Sequence, residues 1–223
     1  VTGVQTCALP IWPWAVAEPF HLVVTAGPTR EHIDPVRYLS NESSGRMGFA
    51  IARAAARRGH RVTLIAGPVE QRTPKGVERI DVLSARDMLA AMKEHFQEAD
   101  ALVMAAAVAD YRPRRKLRSK WKAKEQGGSP SIELVENPVL LRTVARRKGG
   151  RFVVAFALET EDGLRRAAAK LVAKNADLIV LNGPSALGSE RTTVTFLDRE
   201  GNQLELQDRS KDEVARALVR LME

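Results

Sequence analysis

The chain has 223 residues, 44% hydrophobic and 28% charged, the make-up of an ordinary globular protein rather than a fibrous or disordered one. Its formal net charge of +8 directs attention to anionic partners: a nucleotide, a nucleic acid or a membrane surface. No apolar run approaches the roughly 20 residues that cross a bilayer, and a lone cysteine, Cys7, excludes an intramolecular disulfide.

Residues 1–19, VTGVQTCALPIWPWAVAEP, differ in character from the rest and carry Cys7, Trp12 and Trp14. Ala15-Val16-Ala17 imitates a signal-peptide cleavage site, but no Lys or Arg precedes it and Pro10 and Pro13 break the apolar run. The segment looks like a translated adapter read-through, so it is expected to be a non-native or linker piece, with residues 20–223 forming one domain. Residues 22–25 are apolar and β-branched and predict a buried strand, which Ala26-Gly27-Pro28 breaks. A polar loop with Arg30, Arg37, Asn41, Ser43 and Ser44 follows, and Gly45 opens a helical stretch that runs to Arg58 and stops at Gly59. Strand, loop and helix make the first half of a βαβ unit, where unpaired N–H groups and the helix dipole suit an anion.

Further strands are expected at 61–65 and 77–82, and a helix capped by Ser84 at 85–98. The run ALVMAAA, 101–107, reads as a central parallel strand buried on both faces. Residues 108–130 break the rhythm with Arg112, Arg114, Arg115, Lys116, Arg118, Lys120, Lys122 and Lys124, a charged flap or extended hairpin. Strands at 131–135, 152–157 and 177–181 alternate with helices at 138–147 and 162–174. A hairpin of 192–198 with 203–206 turns at 199–202, and Ser210 caps a final amphipathic helix to Met222. The alternation predicts an α/β fold: a Rossmann-like, doubly wound, mostly parallel sheet with a C-terminal β-hairpin and a basic lid segment.

Neither a Walker loop nor GxGxxG is present, and Gly27, Gly45 and Gly48 read equally as a turn and a helix start. The basic run reads as a solvated flap, as a contact for nucleic-acid phosphates with Trp121 stacking on a base, or as a lid that brings a lysine to a nucleotide. Asp110 ends a buried strand, where site residues of open sheets gather; Phe156 reads as core, and Lys170 and Lys174 as one exposed helix face. His21, His32, His60 and His95 lack metal-ligand spacing, so no metal-ligating residue is assigned, and no Ser-His-Asp order or nucleophile elbow is visible.

The blocks TAGPTRE, DPVRYLSN, SSGRMGFAIA, AAAVADYR, ENP, VVAFALET and KNADLIVLN, with the lysine-rich stretch between, closely resemble phosphopantothenoylcysteine synthetase. This is the ligase domain of the bifunctional coenzyme A biosynthesis flavoprotein. The resemblance implies that 4′-phosphopantothenate reacts with CTP, with Mg²⁺, to an acyl-cytidylate and pyrophosphate, and that the cysteine amine then displaces CMP. It implies a cytoplasmic homodimer without flavin in this chain, a fused or associated decarboxylase, and no nucleic-acid or membrane partner. By position, Asn41 turns over the acyl-cytidylate, Arg37 reaches across the dimer interface, and Lys120 is the lid lysine. Ser43, Ser44, Gly45 and Gly48, with Ala106 and Ala107, match the pantothenate-phosphate side. Gly27, Met104, Ala105, Ala106, Asp110, Lys120, Asn137, Pro138, Phe156, Lys170 and Lys174 match the nucleotide side, against the bland readings of Phe156 and the lysine pair. The chain departs from the family at Lys120-Trp121-Lys122-Ala123-Lys124 for Lys-x-Lys-Lys, at Asn137-Pro138-Val139 for Asn-Pro-Asp, and at Asn182-Gly183 for Asn-Asp. A nucleic-acid-binding α/β module and a nicotinamide-cofactor oxidoreductase are the alternative readings.

Overall fold

The computed structural model describes residues 19–122, 131–159, 161–183 and 189–223. Nearly all of the 1–19 segment, the tip of the basic stretch and Lys124 lie outside them. In chain order the elements are β1 (His21–Ala26), a small hairpin of β2 (Glu31–His32) and β3 (Tyr38–Leu39), α1 (Arg46–Arg57), β4 (Arg61–Ala66) and β5 (Val77–Asp81). Next come α2 (Ala85–His95), β6 (Ala101–Met104), β7 (Tyr111–Pro113), β8 (Leu134–Glu136) and α3 (Leu140–Ala145). Then follow β9 (Phe152–Leu158), α4 (Gly163–Ala173), β10 (Leu178–Asn182), β11 (Arg191–Asp198), β12 (Gln203–Ser210) and α5 (Lys211–Met222).

The expected sheet is present. Its order is β12-β11-β10-β9-β6-β1-β4-β5, parallel from β10 to β5 and closed at the other edge by the antiparallel β11–β12 hairpin. β1 is the hub: all its residues are buried, Leu22, Val24 and Ala26 in one hydrophobic cluster and Val23 in the other. Burial on both faces explains why its sequence is a continuous apolar run and not an alternating one. Phe49 and Ile51 of α1 and Val214, Leu218 and Met222 of α5 cover the first face; Met88 of α2, Leu141 of α3 and Leu171 of α4 cover the second. α2 and α5 start in complete capping boxes, Ser84 with Asp87 and Ser210 with Glu213.

The structure departs from the expected boundaries where side chains redirect the backbone. The strand predicted to run to residue 107 leaves the sheet after Met104, because the Thr25 hydroxyl takes the Ala106 N–H (3.2 Å) and the Gly27 carbonyl takes the Ala107 N–H (2.9 Å). The helices expected at 85–98 and 138–147 are shorter, the strand expected at 131–135 is displaced to β8, and β12 runs on to Ser210. The polar loop after β1 contains the unforeseen β2–β3 hairpin. The roots of the basic stretch pair as an antiparallel ribbon, β7 with β8.

α1 lies so close to β1 that a Cβ on Gly48 would stand 2.5 Å from the Ala26 Cβ and 3.0 Å from the Thr25 carbonyl oxygen. Gly48→Ala is therefore expected to destabilise the fold by about 1–3 kcal/mol through overpacking. Urea unfolding measures this, and an unchanged midpoint would mean that α1 shifts freely on the sheet.

Candidate functional site

After β1 the chain builds outward through β4 and β5, and β6 then returns to the other side of β1. Strand order reverses there, and in open α/β sheets the crevice beyond the carboxyl ends at such a point receives ligands. A cleft of about 660 Å³ lies at this point, lined by residues 41–48, residues 105–108, Asp110, residues 156–158, Asn182 and Lys211. That volume suits a ligand of nucleotide size.

The floor is stitched from two loops. Ala107 gives its N–H to the Gly27 carbonyl (2.9 Å), and its own carbonyl takes the Thr29 N–H (3.3 Å) and the Asn41 side-chain amide (3.0 Å). The Thr29 hydroxyl takes the Ala109 N–H at 3.0 Å. Asn41 is thus an exposed side chain with one donor fixed on the strand-end loop. At one end of the cleft stands the start of α1. Gly45 precedes it in the left-handed region (φ 73°), no side chain caps it, and its first turn holds no acidic residue. Like α3 and α4 and unlike α2 and α5, this helix leaves its positive end without a side-chain cap, and here that end lines the cleft, a setting that suits an anion.

Asp110 and Phe156 also line the cleft. Lys174 is associated with it: burial pulls its pKa down, Lys170 adds to this, and Asp110 and Glu159 oppose it. Lys170 is ion-paired with the buried carboxylate of Glu159, whose pKa is held down mainly by that hydrogen bond.

Of the residues picked from the sequence, the cleft lining unites Asn41, Ser43, Ser44, Gly45, Gly48, Ala105, Ala106, Ala107, Asp110 and Phe156. Gly27 and Met104 are not in it; the Gly27 carbonyl holds Ala107, and the Met104 sulfur takes the Thr25 hydroxyl at 3.1 Å. Lys170 and Lys174 are not in the lining either. Asn137 and Pro138 line a separate depression with Arg112 and Arg142. The Asn137 amide donates there to the Ala109 carbonyl (2.9 Å) and accepts from Arg112 (3.1 Å). Lys120 is exposed and outside the cleft lining. Arg46, Asn182 and Lys211 line the cleft and were not picked. Arg46 sits inside a block already quoted, whereas Lys211 opens a C-terminal helix with no motif around it.

Arg37, expected to reach a second subunit, is engaged within its own chain. Asp34 has no exposed surface and accepts from the N–H groups of Val36 (2.8 Å), Arg37 (2.8 Å) and Trp121 (3.0 Å) and from the Arg37 guanidinium (2.9 and 2.5 Å). Arg37 also donates to the Trp121 carbonyl (2.6 Å) and lies 5.6 Å from its ring centroid. The Ile33 carbonyl takes the Leu117 N–H at 2.8 Å. One carboxylate therefore ties the β2–β3 hairpin to the root of the basic stretch. These donors, the Trp121 N–H first and the Arg37 side chain next, hold the Asp34 pKa well below its ordinary 3.8. A depressed carboxylate pKa stabilises the fold fully above the unfolded-state value, and this is lost as pH falls from there toward the folded-state value. Asp34→Asn is expected to speed tryptic cleavage between residues 114 and 122 roughly tenfold at neutral pH by weakening charge-assisted bonds. The wild type should match that rate only in strong acid, read with an acid-active protease; equal rates at pH 7 would dismiss the anchor.

Fold and cleft together define a Rossmann-like α/β protein with a crevice at the switch point of its sheet, lined by an uncapped helix start. The chain belongs to the family described as the DNA/pantothenate metabolism flavoprotein C-terminal domain, whose sequence profile matches residues 18–223. It is 44% identical over 206 residues to the coenzyme A biosynthesis bifunctional protein CoaBC of Vibrio cholerae, covering 90% of this chain and 51% of that protein. It is 48% identical over 167 residues to CoaBC of Escherichia coli, covering 74% of this chain and 41% of that protein. The crystal structure of the C-terminal domain of a CoaBC superposes with a TM-score of 0.78 at 38% identity, covering 90% of this chain and 92% of that one. The chain spans about half the length of the curated relatives it matches, and the sequence motifs resemble this same domain.

Proposed function

We propose that this chain is an acid–amino-acid ligase of coenzyme A biosynthesis, joining 4′-phosphopantothenate to cysteine through an acyl-cytidylate, with CTP converted to CMP and pyrophosphate. The observation that carries the reading is the cleft itself. Asn41 is fixed on the Ala107 carbonyl beside an uncapped helix start, at the switch point of a chain that belongs to this family. A carboxylate is a poor electrophile until its oxygen becomes part of a leaving group, and nucleotidyl transfer achieves that with phosphates rather than an enzyme nucleophile. The groups in the cleft suit such work: N–H donors for phosphate, an amide beside the reacting carbonyl, and no side chain with the setting of a covalent catalyst.

Mg²⁺ fits the reading. Among the described residues no group of three His, Cys, Asp or Glu side chains is placed to cage a metal, and Mg²⁺ on a nucleotide is commonly held by one or two carboxylates plus the phosphates. Of the two carboxylates in the cleft lining, Glu42 and Asp110, Asp110 on the strand-end loop is the one that would hold it, and the ion would supply charge neutralisation on the phosphates. A cytoplasmic homodimer and a decarboxylase fused or associated belong to the same proposal, in which Arg37 would exchange its Asp34 and Trp121 contacts for the second subunit. Among the described residues no helix is long and apolar enough to cross a membrane.

The test is pyrophosphate release by the purified chain with 4′-phosphopantothenate, cysteine and Mg²⁺, comparing CTP with ATP. Release that requires phosphopantothenate and favours CTP is the expected result. Release with ATP alone would keep the ligase and overturn the nucleotide assignment, directing attention to Val139. No release with either from folded protein would overturn the reading, and salt-sensitive binding to RNA or DNA would then favour the basic stretch as a nucleic-acid contact.

A further inference from the structure

We propose that Lys211, with Arg46 beside it, forms a phosphate-binding end of the cleft, so that the first residue of the C-terminal helix is a substrate ligand. The assignment rests on the reading of the cleft as a site for phosphorylated substrates and adds to it a residue from a part of the chain that the motifs do not reach.

Lys211 lines the cleft with the α1 start and Asn182. Its position is well fixed: the Ser210–Glu213 capping box sets the first turn of α5, and Asp212 is paired with Arg53 of α1 at 2.5 Å. These contacts occupy both carboxylates of that turn. The carboxylate that offsets Lys211 is Glu190, and Glu190 is already the ion-pair partner of Arg46. Two cations thus share the Glu190 carboxylate at this end of the cleft, and Glu42 is the acidic residue of the lining beside the α1 start.

The local rule for helices points the same way. The first turn of a helix carries the positive end of the dipole, so acidic residues stabilise it and a lysine opposes it. α5 follows the rule at Asp212 and Glu213 and breaks it at Lys211, the residue that reaches the cleft. Burial and the neighbouring Arg46 both disfavour the charged ammonium. A cation held where the helix end, the burial and a second cation all oppose it is recovered by an anion, and breaches of a local rule without compensation within the fold are found at functional sites. The ligand chemistry is a phosphoryl group, from the nucleotide triphosphate or from the phosphate of the acid substrate.

Inorganic pyrophosphate is the probe that needs no turnover. Calorimetric titration of wild type, Lys211→Gln, Lys211→Arg and the exposed, cleft-distant Arg216→Gln compares the residue with a control that removes the same charge. Lys211→Gln is expected to weaken pyrophosphate binding about tenfold, Lys211→Arg to retain most of it, and Arg216→Gln to leave it unchanged. In steady state, Lys211→Gln should raise KM about tenfold for CTP if the triphosphate is the ligand, or for 4′-phosphopantothenate if that phosphate is. KM for cysteine and kcat should change little. Pyrophosphate affinity unaffected by Lys211→Gln, or lowered equally by Arg216→Gln, overturns the assignment. Wild-type protein that binds pyrophosphate through Lys211 yet makes no ligation product would overturn the ligase reading and leave the phosphate site standing.

Discussion

Asn41→Asp is expected to release about one equivalent of pyrophosphate per site and then stall, with acyl-cytidylate accumulating. The Asn41 amide donates to the Ala107 carbonyl at 3.0 Å, on the loop that closes the floor of the cleft. Aspartate has no N–H to give, and its carboxylate would stand against that carbonyl oxygen. The start of α1, in the proposal the site for the pantothenate phosphate, is left alone by the substitution. In the second half-reaction the cysteine amine adds to the activated carbonyl and negative charge grows on its oxygen, where a missing donor typically costs about 10²–10³-fold in rate. Rapid-quench single-turnover measurements separate the two halves. Steady turnover at the wild-type rate would remove Asn41 from the mechanism, and equal slowing of both halves would assign it to binding.

Lys120→Gln is expected to slow pyrophosphate formation by about 10²-fold, the size of effect that follows loss of a cation from a transferring phosphate. The residue stands outside the cleft lining, next to Trp121, which Asp34 and Arg37 hold by its N–H and carbonyl. The anchor thus fixes the chain immediately after Lys120 and leaves Lys120 exposed. Lys122→Gln serves as the register control. Damage in that variant and not in Lys120→Gln would shift the lid assignment by two residues, and wild-type rates in both would remove the basic stretch from the chemistry.

Much of the sheet was legible because its strands are short, apolar and separated by Gly-Pro breaks or capped helices, so that periodicity and punctuation agree. Legibility failed at ALVMAAA, where hydropathy sees one run of seven residues. The turn at Ala105 depends on the Thr25 hydroxyl and the Gly27 carbonyl, groups from another strand. The β2–β3 hairpin escaped because each arm is two residues long, beneath any periodic signal. At the cleft, the loop from Asn41 to Gly48 was readable as polar residues at a strand-to-helix junction. The motif letter at Asn137 says nothing of the Ala109 and Arg112 contacts that its amide makes. Lys211 was invisible because its neighbourhood is made by the packing of α5 on α1 and not by its own sequence. The Asp34 anchor joins residues that the chain separates by a whole sheet edge, and only the folded backbone brings Trp121 to it.

The placement of β1 at the centre of the sheet also sets a kinetic order. Leu22 is registered with Val62 on one side and Ala101 on the other, so neither neighbour of the hub is local in sequence. The β11–β12 hairpin closes over a turn of a few residues, on the scale of about 1–10 μs. Its edge has nothing to join until β10 is held by β9, and β9 by β6. Refolding is therefore expected to wait on long-range closure around β1, slow for a chain of this size. Core substitutions in β1 or β6 should lower the folding rate, while those in the hairpin should mainly raise the unfolding rate.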